Sequence, residues 1–169
     1  KSPEYQGVAI GEFDLDAVLK RKPKIVLVDQ LAHTNAPGSR HNKRYLDVLE
    51  ILKAGIDVYT TLNVQHIESR VDTVQEITQI TVHETIPDIV LDRADEVVLI
   101  DLPPEELLKR LAEGRIYAED SAQLAVKNFF KRGNLTALRE MALRIAAERV
   151  DRELREYKTL HGIEGVWKA

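Results

Sequence analysis

The chain has 169 residues, 44% of them hydrophobic, which is enough for one domain with a real core and a short tail. Its 24 Lys and Arg stand against 28 Asp and Glu, a net charge of −4 that argues against a general nucleic-acid binder. The absence of cysteine excludes disulfides, thiolate zinc sites and thiol catalysis. No apolar run reaches the ~18 residues that span a bilayer, and the first residues lack a signal-peptide pattern. The chain therefore reads as soluble and cytoplasmic, without membrane contact of its own.

In chain order, residues 14–21 (DLDAVLKR) read as a short helix capped by Asp14 and stopped by Pro23. Residues 24–29 (KIVLVD) form a continuous apolar run, as expected of a parallel strand buried on both faces. The polar stretch that follows carries the turn signal Pro37-Gly38. Tyr45, Leu49 and Leu52 share a helical face within residues 45–54, and Gly55 sits where a helix would be capped. Residues 56–62 (IDVYTTL) read as a second strand, 64–78 as a helix and 81–84 as a short strand.

Residues 96–102 (EVVLIDL) predict a third strand, ended by Pro103-Pro104 with Pro104 opening a helix to Leu111. A helix is expected over 120–132, stopped by Gly133, and a long one over 135–157, started by Asn134. The second half of that helix (DRELREYK) is charged on most sides and reads as a solvated linker. Strand–helix alternation argues for an α/β fold with a mainly parallel sheet, in which ligands bind beyond the carboxyl ends of the strands. Asp29, Asn63 and Asp101 are expected together at that edge.

Three stretches could carry chemistry there. Residues 25–30, four apolar residues then Asp29-Gln30, resemble a Walker B strand, whose Asp sits beside nucleotide-bound Mg²⁺. Alone, this pattern equally fits a buried strand whose Asp caps the next turn. The loop after it is dense in donors: His33, Thr34, Asn35, Ser39 and Arg40. Asn63, Gln65 and His66 follow the second strand and open a helix, where phosphates are attracted, although Asn63 would also serve as a plain cap. Arg40, His41, Lys43 and Arg44 form a basic cluster at a helix start, either an anion contact or a solvated face. Nothing in the spacing of the five histidines calls for a transition-metal site.

At residues 28–44 (VDQLAHTNAPGSRHNKR) the pattern becomes specific. With 15–17 (LDA), 54–69 (AGIDVYTTLNVQHIES), 84–88 (ETIPD), 97–111 (VVLIDLPPEELLKRL) and 134–143 (NLTALREMAL), it resembles the amino-terminal cytoplasmic domain of the KdpD potassium-responsive sensor histidine kinase family. The resemblance covers nearly the whole chain. It implies a P-loop NTPase-like domain over residues 1–150 and a charged helical linker over 151–169 toward a following domain. It further implies a parent kinase in the inner membrane, with the chain on its cytoplasmic side. The partners would be the kinase core of the same protein and, through it, a cognate response regulator governing high-affinity potassium uptake. A homodimer stays open.

The resemblance also implies ATP with Mg²⁺ as cofactor: Asp29 near the metal, Gln30, Asn63, Gln65 and His66 near the γ-phosphate or its water, and His33, Thr34 and Arg40 along the loop above. Two departures qualify this. No G-x-x-x-x-G-K-[ST] phosphate loop occurs in Lys1–Ala169, so the chain lacks that loop and its strand. Where the family commonly has Asp-Glu, this chain has Asp29-Gln30; Gln cannot take a proton from water as a carboxylate does, which implies either ATP binding with little hydrolysis or a family Glu that was never catalytic. The reading is a nucleotide-responsive input domain without kinase activity of its own. The alternative is a protein-interaction scaffold on a degenerate P-loop fold that binds no nucleotide.

Overall fold

A computed structural model describes residues 4–5, 8–9, 12–115, 129–163 and 165. The expected helix over 120–132 lies mostly outside them. The chain divides into two compact units, Lys1–Glu76 with Thr81–Ala94, and Ile77–Ile80 with Asp95–Ala169.

In the first unit, β1 (Glu4–Tyr5) and β2 (Val8–Ala9) make a small antiparallel pair. The helix α1 (Leu15–Arg21) starts where Asp14 accepts a hydrogen bond from Ala17 N at 2.9 Å, and ends at Lys22 in the left-handed region before Pro23. The strands β3 (Ile25–Val28) and β4 (Asp57–Thr60) pair in parallel, Ile25 opposite Asp57 through Val28 opposite Thr60. The connection between them holds α2 (Arg44–Lys53), as a parallel crossover requires. After α2, Gly55 takes φ +76°, which a residue with a Cβ rarely adopts.

Leu15, Val26, Val28, Val48, Ile51, Ile56 and Ile86 form the core of this unit. Each such apolar side chain contributes about 1.5–3 kcal/mol by leaving water. Only alternate residues of β3 enter it. Leu27 is 79% exposed and Ile25 51%, so the strand is covered on one face, not both. A run of apolar residues specifies two buriable faces; what covers them is set by elements far away in sequence.

Past β4 the expected single helix over 64–78 is broken. Two 3₁₀ turns, Val64–His66 and Glu68–Arg70, precede α3 (Val71–Thr78). The break falls at Ile67, whose backbone bridges to Ile86 in parallel, with Ile86 N donating to His66 O at 2.8 Å and Glu68 N to Ile86 O at 3.0 Å. That pairing satisfies backbone groups a continuous helix would have used. It also replaces the short strand expected over 81–84, two residues upstream of the actual bridge. The helix α4 (Asp88–Asp92) closes the unit.

The second unit packs α5 (Pro104–Ala112) against α6 (Arg132–His161). Proline opens α5 as expected. The α6 helix begins two residues before Asn134, is capped by Lys131 without a side-chain bond, and runs unbroken past residue 150. Its Leu135, Leu138 and Met141 are buried. Residues 97–101, expected as a third strand, are irregular and exposed, with Ile100 at 78%. Strand preference is chiefly a preference for packing on a pleated neighbour, and among the described residues no strand pairs with this run. The fold is thus α/β with a two-stranded parallel sheet. None of the described helices is long and apolar enough to cross a membrane.

Candidate functional site

Because β3 and β4 run parallel, their carboxyl ends lie at one edge. Asp29 and Gln30 follow β3 there, and Thr61 follows β4. The Thr61 hydroxyl donates to Asp29 Oδ1, which also accepts from Gln30 N at 3.0 Å. The same Gln30 N–H reaches Thr61 Oγ1 at 3.0 Å, and Leu31 N donates to Thr61 O at 3.0 Å. Gln30 itself sits at φ +56°, a left-handed conformation that a non-glycine residue holds at a cost. The result is an exposed carboxylate fixed through one oxygen, with Oδ2 unbonded by any described residue.

The loop after β3 is folded upon itself rather than spread over that edge. Thr34 and Lys43 form an isolated antiparallel bridge, Asn35 N donates to Asn42 O at 3.1 Å, and Arg44 N donates to His33 O at 3.0 Å. At its tip, Ser39 N donates to Ala36 O at 3.1 Å across Pro37-Gly38, with Gly38 at φ +90°, the geometry of a type II turn.

Beneath the loop lies Glu12, a largely buried carboxylate. It accepts from Ala36 N at 2.9 Å, sits 3.2 Å from His33 Nε2, and takes Arg44 Nη2 at 3.2 Å. Burial opposes its ionisation, but the bonds from His33 and Ala36 and the charges of His33 and Arg44 outweigh this and hold the carboxyl below its ordinary value. Arg44 also donates to Asp29 O at 3.1 Å, linking this hub to the strand end. On the other side, Glu84 accepts from Thr34 N at 2.6 Å and lies 3.6 Å from His33 Nδ1.

The remaining sequence-derived candidates are placed as follows. Arg40 is held between Asp16 of α1 and Glu50 of α2, so its guanidinium ties two helices together. Asn63 is exposed and makes no side-chain capping bond; the turn after it is closed by its carbonyl, which accepts from His66 N at 3.0 Å. Gln65 is half-buried in that turn. His66 Nδ1 lies 2.7 Å from Glu84 O, so the ring braces the strap that carries Glu84. Asp101 belongs to the second unit, where Arg139 holds it with two bonds of 2.6 Å.

The structure therefore joins Asp29, Gln30 and Thr61 at the edge, with Arg44 bonded to the Asp29 carbonyl. It assigns His33, Thr34, Arg40 and His66 to holding the loops. Thr61, which the sequence marks only as a strand-end residue, and Glu12 and Glu84, which it does not mark, are the neighbours that complete this arrangement. Only Thr61 had a signal, its position at a strand end; the two glutamates act across 21 to 50 residues of chain.

The loop also buries an acid. Asn35 Nδ2 donates to Asp47 Oδ2 at 2.6 Å and to His41 O at 3.0 Å, while Asn35 Oδ1 is buried without a partner. Burial pushes the Asp47 carboxyl up, and Asn35, His41 and Arg44 offset this only in part. A raised carboxyl stabilises the fold most below its ordinary value and loses that contribution as pH rises through the raised one. Asp47→Asn is accordingly expected to gain about 1 kcal/mol on the wild type above that raised value, and no advantage in acid. Urea unfolding at several pH values checks this; a difference independent of pH would refute it.

Among the described residues no cluster of three or more His, Asp or Glu could hold a metal ion. A cation at Asp29 would complete its shell with water and with oxygens of a ligand, as Mg²⁺ characteristically does.

The pattern of residues in this chain recurs in known proteins. A family model, KdpD, described as the osmosensitive K+ channel His kinase sensor domain, matches residues 1–150. The chain is 54% identical over 167 residues to Sensor protein KdpD of Escherichia coli, covering 99% of the chain and 19% of that protein. It is 57% identical over 154 residues to Sensor protein KdpD of Clostridium acetobutylicum, covering 91% of the chain and 17% of that protein. Over 151 residues it is 53% identical to a protein of Synechocystis named Putative sensor protein KdpD, covering 89% of the chain and 41% of that protein. The chain thus spans about a fifth of the length of the first two.

Proposed function

Since this chain belongs to the KdpD family of osmosensitive K+ channel His kinase sensor domains, we propose that it is the nucleotide-responsive input domain of a two-component sensor kinase controlling high-affinity potassium uptake. Its place is the cytoplasmic side of a plasma-membrane protein. It acts on the kinase core of the same protein and, through that core, on a response regulator. The observation that carries the nucleotide reading is the strand edge: Asp29 bound by Thr61, beside Gln30 at φ +56°.

The residues present fit the cation half of Mg-ATP. Asp29 offers a free carboxylate oxygen to a hydrated Mg²⁺, and Arg44 and Thr61 fix the backbone and side chain that present it. Bound Mg²⁺ would neutralise phosphate charge there. Gln30 orients a water by hydrogen bonding and does not deprotonate it, so the domain binds and responds rather than turning over. The phosphate half does not fit, because no Gly-rich loop with its lysine occurs in Lys1–Ala169.

A direct consequence is that Lys1–Ala169 alone binds Mg-ATP with an affinity weaker than about 100 µM, since most of the binding energy of a phosphate loop is missing. Calorimetry checks this, and low-micromolar binding would overturn it. A longer protein that supplies the phosphate loop should recover binding and lose it again on Asp29→Ala. One observation favours the scaffold reading instead: the basic side chains of the loop, Arg40, His41, Lys43 and Arg44, are each engaged by an acceptor of the same unit. No thermal shift with Mg-ATP even in the longer protein would decide for it.

A further inference from the structure

The amino ends of β3 and β4 form an edge opposite to that of Asp29. The chain reaches it through the last turns of α1 and α2 and the short turns after them. Lys20, Arg21, Lys22, Lys24 and Lys53 gather there, and all five are exposed. Among the described residues none of them forms an ion pair with a carboxylate. Within residues 20–25 and 52–57 the only acid is Asp57, in a chain whose net charge is −4. The negative ends of two helix dipoles account for Lys20, Arg21 and Lys53. They leave Lys24 unexplained. At Lys22 the backbone is left-handed, φ 48°, where glycine is the usual residue after a helix. A lysine there strains the turn and keeps a charge at the centre of the cluster.

The type of cation is informative. Where this chain ties its elements together it uses arginine: Arg44 on Glu12, Arg132 on Glu105 and Arg139 on Asp101. The guanidinium fork fits a fixed carboxylate, whereas lysine is a point charge that suits a diffuse anionic field. Four of the five cations at this edge are lysines. Ile25 and Leu52, 51% and 45% exposed, adjoin Lys24 and Lys53 in the chain and add apolar side chains to the rim.

We infer that this edge docks on an anionic bilayer surface. The inference rests on the proposed place of the chain beside a plasma membrane and is independent of nucleotide. A basic side chain near such a surface raises partition about fivefold. The strands set the two edges about 13 Å apart. That exceeds the Debye length of ~8 Å at physiological salt, so the acids at the Asp29 edge do not cancel the field. Docked this way, the chain turns the Asp29 edge toward the aqueous side. The lack of a spanning run excludes a crossing, not this surface contact.

The test is sedimentation of the whole chain with vesicles of phosphatidylglycerol and phosphatidylcholine, against vesicles of phosphatidylcholine alone. A protein of net charge −4 is repelled as a whole, so retention on the anionic vesicles reports the basic edge. Retention is expected on the anionic vesicles only, falling as salt rises. Lys22→Gln with Lys24→Gln should lower partition about 25-fold with circular dichroism unchanged, and Lys109→Gln on α5 should leave it within twofold. Lys22→Gly separates charge from fold: partition should drop about fivefold while the unfolding midpoint does not fall. No retention at low salt would overturn the proposal and leave the nucleotide reading standing, since that reading is tested by Mg-ATP binding in the longer protein. Retention that neither variant lowers, or equal retention on phosphatidylcholine, would overturn it as well. Binding to soluble polyglutamate but not to the vesicles would replace the lipid surface by an acidic protein.

Discussion

Replacing Glu12 by alanine is expected to destabilise the first unit by about 3–5 kcal/mol, the cost of removing one member of a largely buried ion pair. The carboxylate takes Ala36 N, Arg44 Nη2 and the His33 ring on two oxygens. Without it, the Arg44 guanidinium keeps only the Asp29 carbonyl among its described hydrogen-bond partners, and its Nε is already buried without one. Glu12→Gln keeps the shape and one acceptor oxygen but loses the charge, so its cost should fall near 1–3 kcal/mol. Urea unfolding followed at 222 nm separates the two. A loss below 1 kcal/mol for Glu12→Ala would mean that the loop holds without its hub.

The sign of the pH dependence follows from the lowered carboxyl. A depressed folded value contributes stability that is fully present above the ordinary value of 4.5 and is lost as pH falls through the folded value. The gap between wild type and Glu12→Gln should therefore be widest near neutrality and close in acid. Asp47 works in the opposite direction, so the two variants should show pH profiles of opposite slope. Equal slopes would contradict the assignment of Glu12 as an acid whose partners outweigh burial and of Asp47 as one whose burial outweighs its partners.

What the sequence made legible was local. Asp14 and Pro23 bracketed α1, the KIVLVD run located β3, and Pro103-Pro104 opened α5, because caps, breakers and apolar runs act within a few residues. The strand-end pair Asp29-Gln30 was legible for the same reason. Position 97 onward shows the limit: its residues are as apolar and β-branched as those of β3, yet a strand needs a partner, and partners are distant in the chain. The break at Ile67 had no local signal either, since it exists to pair with Ile86. Glu12 and Glu84 are ordinary acids in sequence and become a hub and a clasp only when three loops converge. His33 and His66 read as ligand contacts because they follow strand ends; the bonds of His33 to Glu12 and of His66 to the Glu84 carbonyl are long-range and had no local signal.

Ile86→Ala should cost about 2–5 kcal/mol, the range for truncating a fully buried isoleucine. Ile86 has no exposed surface and packs with Val28, Ile51 and Ile56. Its effect should reach the candidate site, because the same residue pairs its backbone with His66 and Glu68 and lies two positions from Glu84. Loosening this strap frees the Glu84 carboxylate that holds Thr34 and the Glu84 carbonyl that holds the His66 ring. Hydrogen exchange in Ile86→Ala should therefore rise at Thr34 N and Ile86 N by more than at the paired amides of β3 and β4. Ile89→Ala, at a 53% exposed position of α4, is the control and should change stability by less than about 0.5 kcal/mol. If exchange rises uniformly across the unit, the strap opens only with the whole unit and is no separate clasp for the site. If Ile89→Ala costs as much as Ile86→Ala, the loss reflects general apolar area rather than the buried bridge.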